Sequence, residues 1–325
     1  AYEDDLPTLL SESEEPATLK AYGQSHKILK RHAERPADKA IGVISLSGSI
    51  MTGKSRSFPI PLPILGGETI GSTTAQQQIR AARKDDSLGA VVLHVDSGGG
   101  SALASDLMWR ELKLLDNEKP LVVYMGNVAA SGGYYIATPG RKIVAQRATI
   151  TGSIGVITAK PVTAGTMKKI GATTEIIRRG EHAGIYDGNQ PWSDGERATV
   201  EESVEHIYHI FKERVAEGRH LDYDDLDEIA NGRVWTGEQA LDHGLIDQVG
   251  DFQDAVELAR ELAQLDADAR IITVAISPPK KALLAMPVEA ARAVLGLSRL
   301  RKVDDLLASL TDGSLTQTLL NERFW

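Results

Sequence analysis

A lone serine, Ser131, stands in the run Ala129-Ala130-Ser131-Gly132-Gly133, after one apolar stretch and before another that is also aromatic. A serine on a strand-to-helix turn projects its Oγ from the edge of a sheet, where a substrate carbonyl can reach it. The N–H groups of Gly132 and Gly133 then fall at a helix N-terminus, unsatisfied and able to face a developing oxyanion. The chemistry this predicts is nucleophilic acyl transfer. The competing reading is a helix start built from small residues, with the serine as its cap.

A second glycine-rich turn lies in "VDSGGGSALAS" at 95–105. No Lys follows its glycines and the spacing is not G-x-G-x-x-G, so a phosphate cradle is not expected. The use that remains is an oxyanion or peptide-backbone clamp from Gly99 and Gly100, which can approach a ligand closely. The surroundings of Ser131 do not read G-x-S-x-G, and no Asp/Glu-then-His pair follows in recognisable context. His206 and His209 are three apart on one helix without a third ligand in register, so they read as surface residues. No metal and no organic cofactor is expected.

The chain has 325 residues, 42% of them hydrophobic, enough for one large α/β domain with tails or two modest domains. A net charge of -9 and the lack of a Lys/Arg run argue against nucleic-acid binding. There are no cysteines, which excludes disulfides and thiolate chemistry. No apolar stretch approaches the roughly 20 residues of a membrane span. The acidic beginning lacks both an initiator Met and the apolar segment of a signal peptide, so the chain is expected to be processed or a piece of something longer.

The elements needed to position the two turns are legible in outline. Residues 1–37 read as a linker or packing arm with one helix. Strands are expected at 39–50, 89–97, 119–126 and 141–146, with helices at 73–86 (Thr73 as cap) and 101–118. Alternation at this spacing predicts βαβ-type units and a largely parallel sheet. Residues 55–72, with alternate prolines and paired glycines, read as a loop whose apolar side chains face a neighbour, a substrate or a membrane. A long amphipathic helix is expected over 194–219, with Val200, Val204, Ile207, Ile210, Phe211 and Val215 on one face. Thr236 and Gln239 form a capping box, with a stop at Gly244. The main domain is placed at 38–270 and a helical tail at 271–325.

Four segments together resemble the signal peptide peptidase A (SppA) family of bacterial serine peptidases: "VVLHVDSGGGSALASDL", "KPLVVYMGNVAASGGYYIAT", "TITGSIGVI" and "GRVWTGEQALDHGLIDQVGDFQDAV". The likeness covers about residues 40 to 265 and is strongest to the serine-bearing C-terminal half of the long, two-repeat form. It implies an α/β fold of Clp protease/crotonase type, a spiral of ββα units, here with helical arms at both ends. It implies a Ser–Lys dyad, with Ser131 as nucleophile and an oxyanion hole from Gly132 and from Gly99 or Gly100. Ser153 matches the serine that holds the lysine. Gly98 stands where the family has Pro.

The family's lysine is missing. In "IIRRGEHAGIYDG", Gly180 matches the glycine of the expected segment, His182 falls at its tyrosine and Ala183 at its lysine. Three sources of a base stay open: a lysine from another repeat or subunit, a base within this chain at Lys160 or His182, or none, in a silent homologue. The resemblance further implies peptide substrates such as cleaved signal peptides, a ring-shaped homo-oligomer, and a place at the cytoplasmic membrane facing outward. The alternatives are a catalytically silent peptide-binding scaffold and a crotonase-type acyl-CoA enzyme.

Overall fold

A computed structural model describes residues 39–57, 68–172 and 174–274. The expected N-terminal helix, all but the first four residues of the expected C-terminal tail and the proline-rich part of the 55–72 loop lie outside these residues.

The sheet follows from the sequence's apolar runs. Strands β1 (Ala40–Ser47), β5 (Leu88–Ser97) and β6 (Leu121–Ala130) are nearly continuous apolar segments, as expected for parallel strands covered on both faces. With β7 (Lys142–Ala145), β10 (Gln248–Val249) and β11 (Ile271–Thr273) they form a parallel sheet in the order β10-β7-β6-β5-β1-β11. Because β11 pairs with β1, the folded unit runs to Val274, past the expected boundary at 270.

One face of the sheet carries Leu93, Val95, Val123 and Met125 against two helices. These are α1 (Ser72–Lys84), which buries Ala75, Ile79 and Ala82, and α2 (Ala102–Glu118), which buries Met108, Leu112 and Leu115. The opposite face carries Ile41, Ala90, Val92 and Val122 against Ala255, Val256 and Ala259 of α7 (Phe252–Leu262). Helix α1 starts at Ser72 with Gly71 at the cap and no side-chain cap bond, so Thr73 is not the cap. The Ser101 hydroxyl accepts from Ala104 N–H at the start of α2.

A second, smaller layer makes the units ββα rather than βα. Beyond β1 the chain turns into β2 (Ser49–Met51), which pairs with β4 (Glu68–Gly71), itself paired with β3 (Arg56–Ser57). Both ends of the region expected to be a loop are therefore short strands. Beyond β5, Gly100 bridges to Ile50 before α2 begins. Strand β6 does the same within one element. Its first half pairs with β5 and β7, whereas Val128–Ala130 pairs with β8 (Ile150–Gly152). The break is a bulge, where Val95 faces Met125 but Ser97 faces Ala129. Repeated three times, this is a spiral of ββα units, the α/β fold of Clp/crotonase type that the resemblance implies. Helix α3 (Gly132–Ala137) follows β6, and a short helix α4 (Ala164–Lys169) follows β8.

The long helix α5 (Asp194–Arg219) has the expected bounds and opens with a capping box between Ser193 and Glu196. Only Phe211 and Val215 of its apolar stripe are fully buried; Val200, Val204 and Ile207 are partly exposed, for a reason given below. Strand β9 (Val234–Thr236) pairs antiparallel with β8, and the Thr236–Gln239 capping box starts α6 (Gly237–Asp242). Gly244 follows with φ 70°, as a glycine helix stop requires.

Candidate active site

The end of β6 and the start of α3 deliver Ser131. Its N–H donates to Gly152 O at 2.9 Å, and its carbonyl accepts from Tyr135 N–H at 2.9 Å, the first bond of α3. It occupies the cap position, yet its hydroxyl makes no cap hydrogen bond and its backbone is at φ 52°, ψ −121°. A non-glycine residue there stores roughly 1–3 kcal/mol of strain. A helix does start here, but a capping serine needs neither feature, and the Ser131 hydroxyl is left free of the helix.

The two glycine turns meet at this serine. A Cβ built on Gly99 would lie 2.5 Å from Gly132 N and 2.9 Å from Ser131 Cβ. One built on Gly132 would lie 3.2 Å from Gly99 Cα and 3.3 Å from Gly100 N. The backbones are thus in contact, and side chains are excluded between them. Among the described residues, neither Gly132 N–H nor Gly100 N–H has a hydrogen-bond acceptor. Gly99 N–H, by contrast, donates to Ser97 Oγ at 3.1 Å. Of the two glycines expected to supply a donor from the second turn, Gly100 has its N–H free and Gly99 does not.

Ser153, one residue beyond β8, also has a left-handed backbone, φ 49°, and donates its N–H to Arg233 O at 2.7 Å. The segment opposite it is fixed in turn. Gly232 N–H donates to Ile154 O at 2.9 Å, and Tyr208 Oη of α5 both donates to Asn231 Oδ1 and accepts from Asn231 N–H. The sequence did not single out Asn231 or Tyr208. The "NG" pair after a helical stretch was the only local sign of this turn.

Gly98, Gly100, Ser131, Gly132 and Ser153 line a cavity of about 980 Å³. Its other walls are largely apolar: Tyr135, Val156, Ile157, Ile185, Tyr186 and Trp192, with Val200, Val204, Ile207, Tyr208 and Phe211 from α5. This is why half of the α5 stripe is not sealed in the core. Ile157 at 98% and Tyr186 at 96% exposure lie open at the surface. The Tyr135 ring packs on Phe211 at 4.9 Å, and its hydroxyl donates to Asp106 Oδ1 at 2.7 Å. Burial, with Asp106 beside it, pushes the Tyr135 phenol far above the ordinary tyrosine range, so it stays a neutral donor.

The candidate bases sit differently. Lys160 lines the cavity, but its Nζ donates to Gly184 O at 3.3 Å and lies 5.5 Å from the centre of the Trp192 ring. His182 lies in an exposed turn and is not among the residues lining the cavity. No hydrogen bond joins either to Ser131 Oγ. Among the described residues no group of three or more His, Asp or Glu could hold a metal, and none of the helices is long and apolar enough to cross a membrane. His206 is exposed, and His209 pairs with Glu213 at 3.3 Å.

Residues 113–266 match the sequence profile of peptidase family S49, a span that includes Ser131 and Ser153. The chain is 38% identical over 276 residues to the chloroplastic serine protease SPPA of Arabidopsis thaliana, covering 84% of this chain but 40% of that one. It is 31% identical over 253 residues to a protein of Enterococcus faecium named for the signal peptide peptidase SppA, covering 77% of this chain and 71% of the relative. Among solved structures, a membrane-bound stomatin-specific protease superposes with a TM-score of 0.48 at 16% identity, over 74% of this chain and all of that one. The chain thus spans well under half the length of its plant relative and most of the bacterial one. With the matched region carrying the serine turn and the segments around it, the chain belongs to the SppA family of serine peptidases.

Proposed function

We propose that this chain is the serine-bearing part of an endopeptidase that hydrolyses apolar peptides, cleaved signal peptides among them. The observation that carries this reading is the strained, uncapped Ser131 beside two unbonded amides on an apolar cavity. Ser131 Oγ attacks the scissile carbonyl and loses its proton to a lysine amine. Gly132 N–H and Gly100 N–H receive the oxyanion of the tetrahedral intermediate, where each such donor is worth a factor of about 10² to 10³ in rate. The protonated amine gives its proton to the leaving amine, and water then hydrolyses the acyl-enzyme.

The lysine comes from another repeat or another subunit. Three observations support this: Ser131 Oγ has no basic partner among the described residues, Lys160 is engaged by Gly184 O and Trp192, and the plant relative is much longer than this chain. Ser153 faces the same cavity and holds the incoming amine. An assembly of several subunits, a ring in the arrangement the family resemblance implies, brings the lysine in. The corresponding setting is the outer face of the cytoplasmic membrane.

The test is hydrolysis of an apolar peptide by the purified chain, alone and with a lysine-bearing N-terminal repeat, alongside Ser131→Ala. Turnover only with the repeat, lost in Ser131→Ala, is the expected result. Turnover by the chain alone would place the base inside it and overturn the imported lysine. Silence in every combination would favour a peptide-binding scaffold.

A further inference from the structure

Gly98-Gly99-Gly100 is the most permissive backbone the sequence could place between β5 and α2, yet the oxyanion site needs it fixed. Gly99 and Gly100 are at φ 95° and 151°, so glycine is required there, but glycine does not hold the shape. One restraint is visible on the β2 side: Ile50 N–H donates to Gly99 O at 2.9 Å, and Ser101 N–H donates to Ile50 O at 2.9 Å. The other is Ser97. Its side chain is buried, with the residue 2% exposed. Its hydroxyl donates to Gly48 O at 2.6 Å and accepts from Gly99 N–H at 3.1 Å. That exhausts its single proton and fixes the direction of a lone pair.

We propose that Ser97 is a positioning residue of the oxyanion site, acting through the Gly99 peptide. The inference rests on the peptidase reading of Ser131 and deepens it. Gly99 is buried against Ser131 and Gly132, whereas Gly100 beside it is exposed. Gly99 N–H belongs to the 98–99 peptide and Gly100 N–H to the 99–100 peptide, and the two planes hinge at the Gly99 Cα. A tilt of the first therefore shifts Gly100 N–H relative to Gly132 N–H, the two groups that must converge on one oxygen. Ser97 Oγ prevents that tilt by tying Gly99 N–H to the Gly48 turn. Without it, a buried N–H is left without an acceptor and the 98–99 peptide is free to tilt, with only the Ile50 bonds to Gly99 O and Ser101 N–H left to restrain the turn.

Gly98 offers an independent restraint. It is exposed, its φ is outside the left-handed range, and a Cβ there would meet nothing within 4 Å. A proline at 98 would stiffen the turn from the other side. A role for Ser97 in restraining the turn is then replaceable by Gly98→Pro, whereas a role in filling space is not.

The experiment compares the wild-type full chain with Ser97→Ala, Gly98→Pro and the double variant. Amide hydrogen exchange in peptides covering 96–103 needs no turnover. The bond predicts that Ser97→Ala speeds exchange at Gly99 by about tenfold or more while the sheet is unchanged. In the hydrolysing assembly, Ser97→Ala is expected to lower kcat by about 10- to 100-fold with KM within about twofold, part of the worth of one oxyanion donor. Gly98→Pro in the same chain is expected to recover most of that loss. Unchanged exchange at Gly99 would overturn the proposal whatever the turnover, and so would a kcat loss that the proline does not recover. An inactive wild-type assembly would instead count against the peptidase reading, and the exchange result would still decide whether Ser97 holds the turn.

Discussion

At the scale of single residues, the site is built by backbone conformations that side chains resist. Ser131 is the clearest case. Its φ of 52° is tolerated because β6, α3 and the bond to Gly152 O over-determine it. Replacing it with glycine removes the strain together with the nucleophile. Ser131→Gly is therefore expected to raise the stability of the fold by about 1 kcal/mol while abolishing hydrolysis, and Ser131→Ala to abolish hydrolysis without that gain. Denaturant melts of the two variants check this; equal stabilities would mean that the turn is not strained. Two glycines only two positions apart predict opposite outcomes. A Cβ at Gly100 would sit 2.1 Å from Ile50 O, on a φ of 151°, so Gly100→Ala should destabilise and inactivate. Gly98→Ala should be neutral or stabilising by a few tenths to about 1 kcal/mol, because the unfolded chain loses freedom and the folded one loses nothing.

At the scale of elements, α5 links core and cavity. Its later turns bury Phe211, which also borders the cavity, and Val215, while Val200, Val204 and Ile207 turn to the cavity. The helical period announced one apolar stripe from 200 to 215 but not its division between core and cavity, which depends on what the described residues between β8 and α5 leave uncovered. Val204→Asp is expected to raise KM for apolar peptides by about tenfold, with a thermal midpoint close to wild type because the residue is partly exposed. A midpoint far below wild type would place Val204 in the core instead. The strands and helices around Ser131 were legible because their apolar runs and flanking glycines are strong local signals. The second-layer strands were not. β2, β3 and β8 have three, two and three residues, too few for a period, and the Gly100 bridge has none. The same holds for Ser97, whose role depends on Gly48, 49 positions away in the chain.

At the scale of the whole molecule, the two faces of the sheet differ in what covers them, and this has a pH consequence. Beyond α7, the second face carries a polar group: Ser45 Oγ lies 2.9 Å from His94 Nδ1, His94 stacks on Tyr124 at 5.6 Å, and Asp96 is close by. Burial lowers the affinity of His94 for a proton below the ordinary histidine value near 6.5, against an opposing pull from Asp96. The unfolded chain therefore binds this proton more readily than the folded one. Stability contributed by neutral His94 is complete above about pH 6.5 and is lost as the pH falls from there toward the lower folded value. His94→Gln should flatten that part of the profile, measured as thermal midpoint against pH from about 7.5 to 5. An unaltered slope would assign the acid sensitivity to other groups. The architecture around this face was readable from the alternation of strands and helices; the base for Ser131 was not, because the described chain offers its serine no basic partner.

The most direct measurement is mass-spectrometric mapping of a fluorophosphonate adduct on the chain, alone and with a lysine-bearing N-terminal repeat. The account predicts a single adduct on Ser131 that forms rapidly only when the repeat is present. An adduct on another serine, or none at Ser131 with the repeat bound, would contradict it.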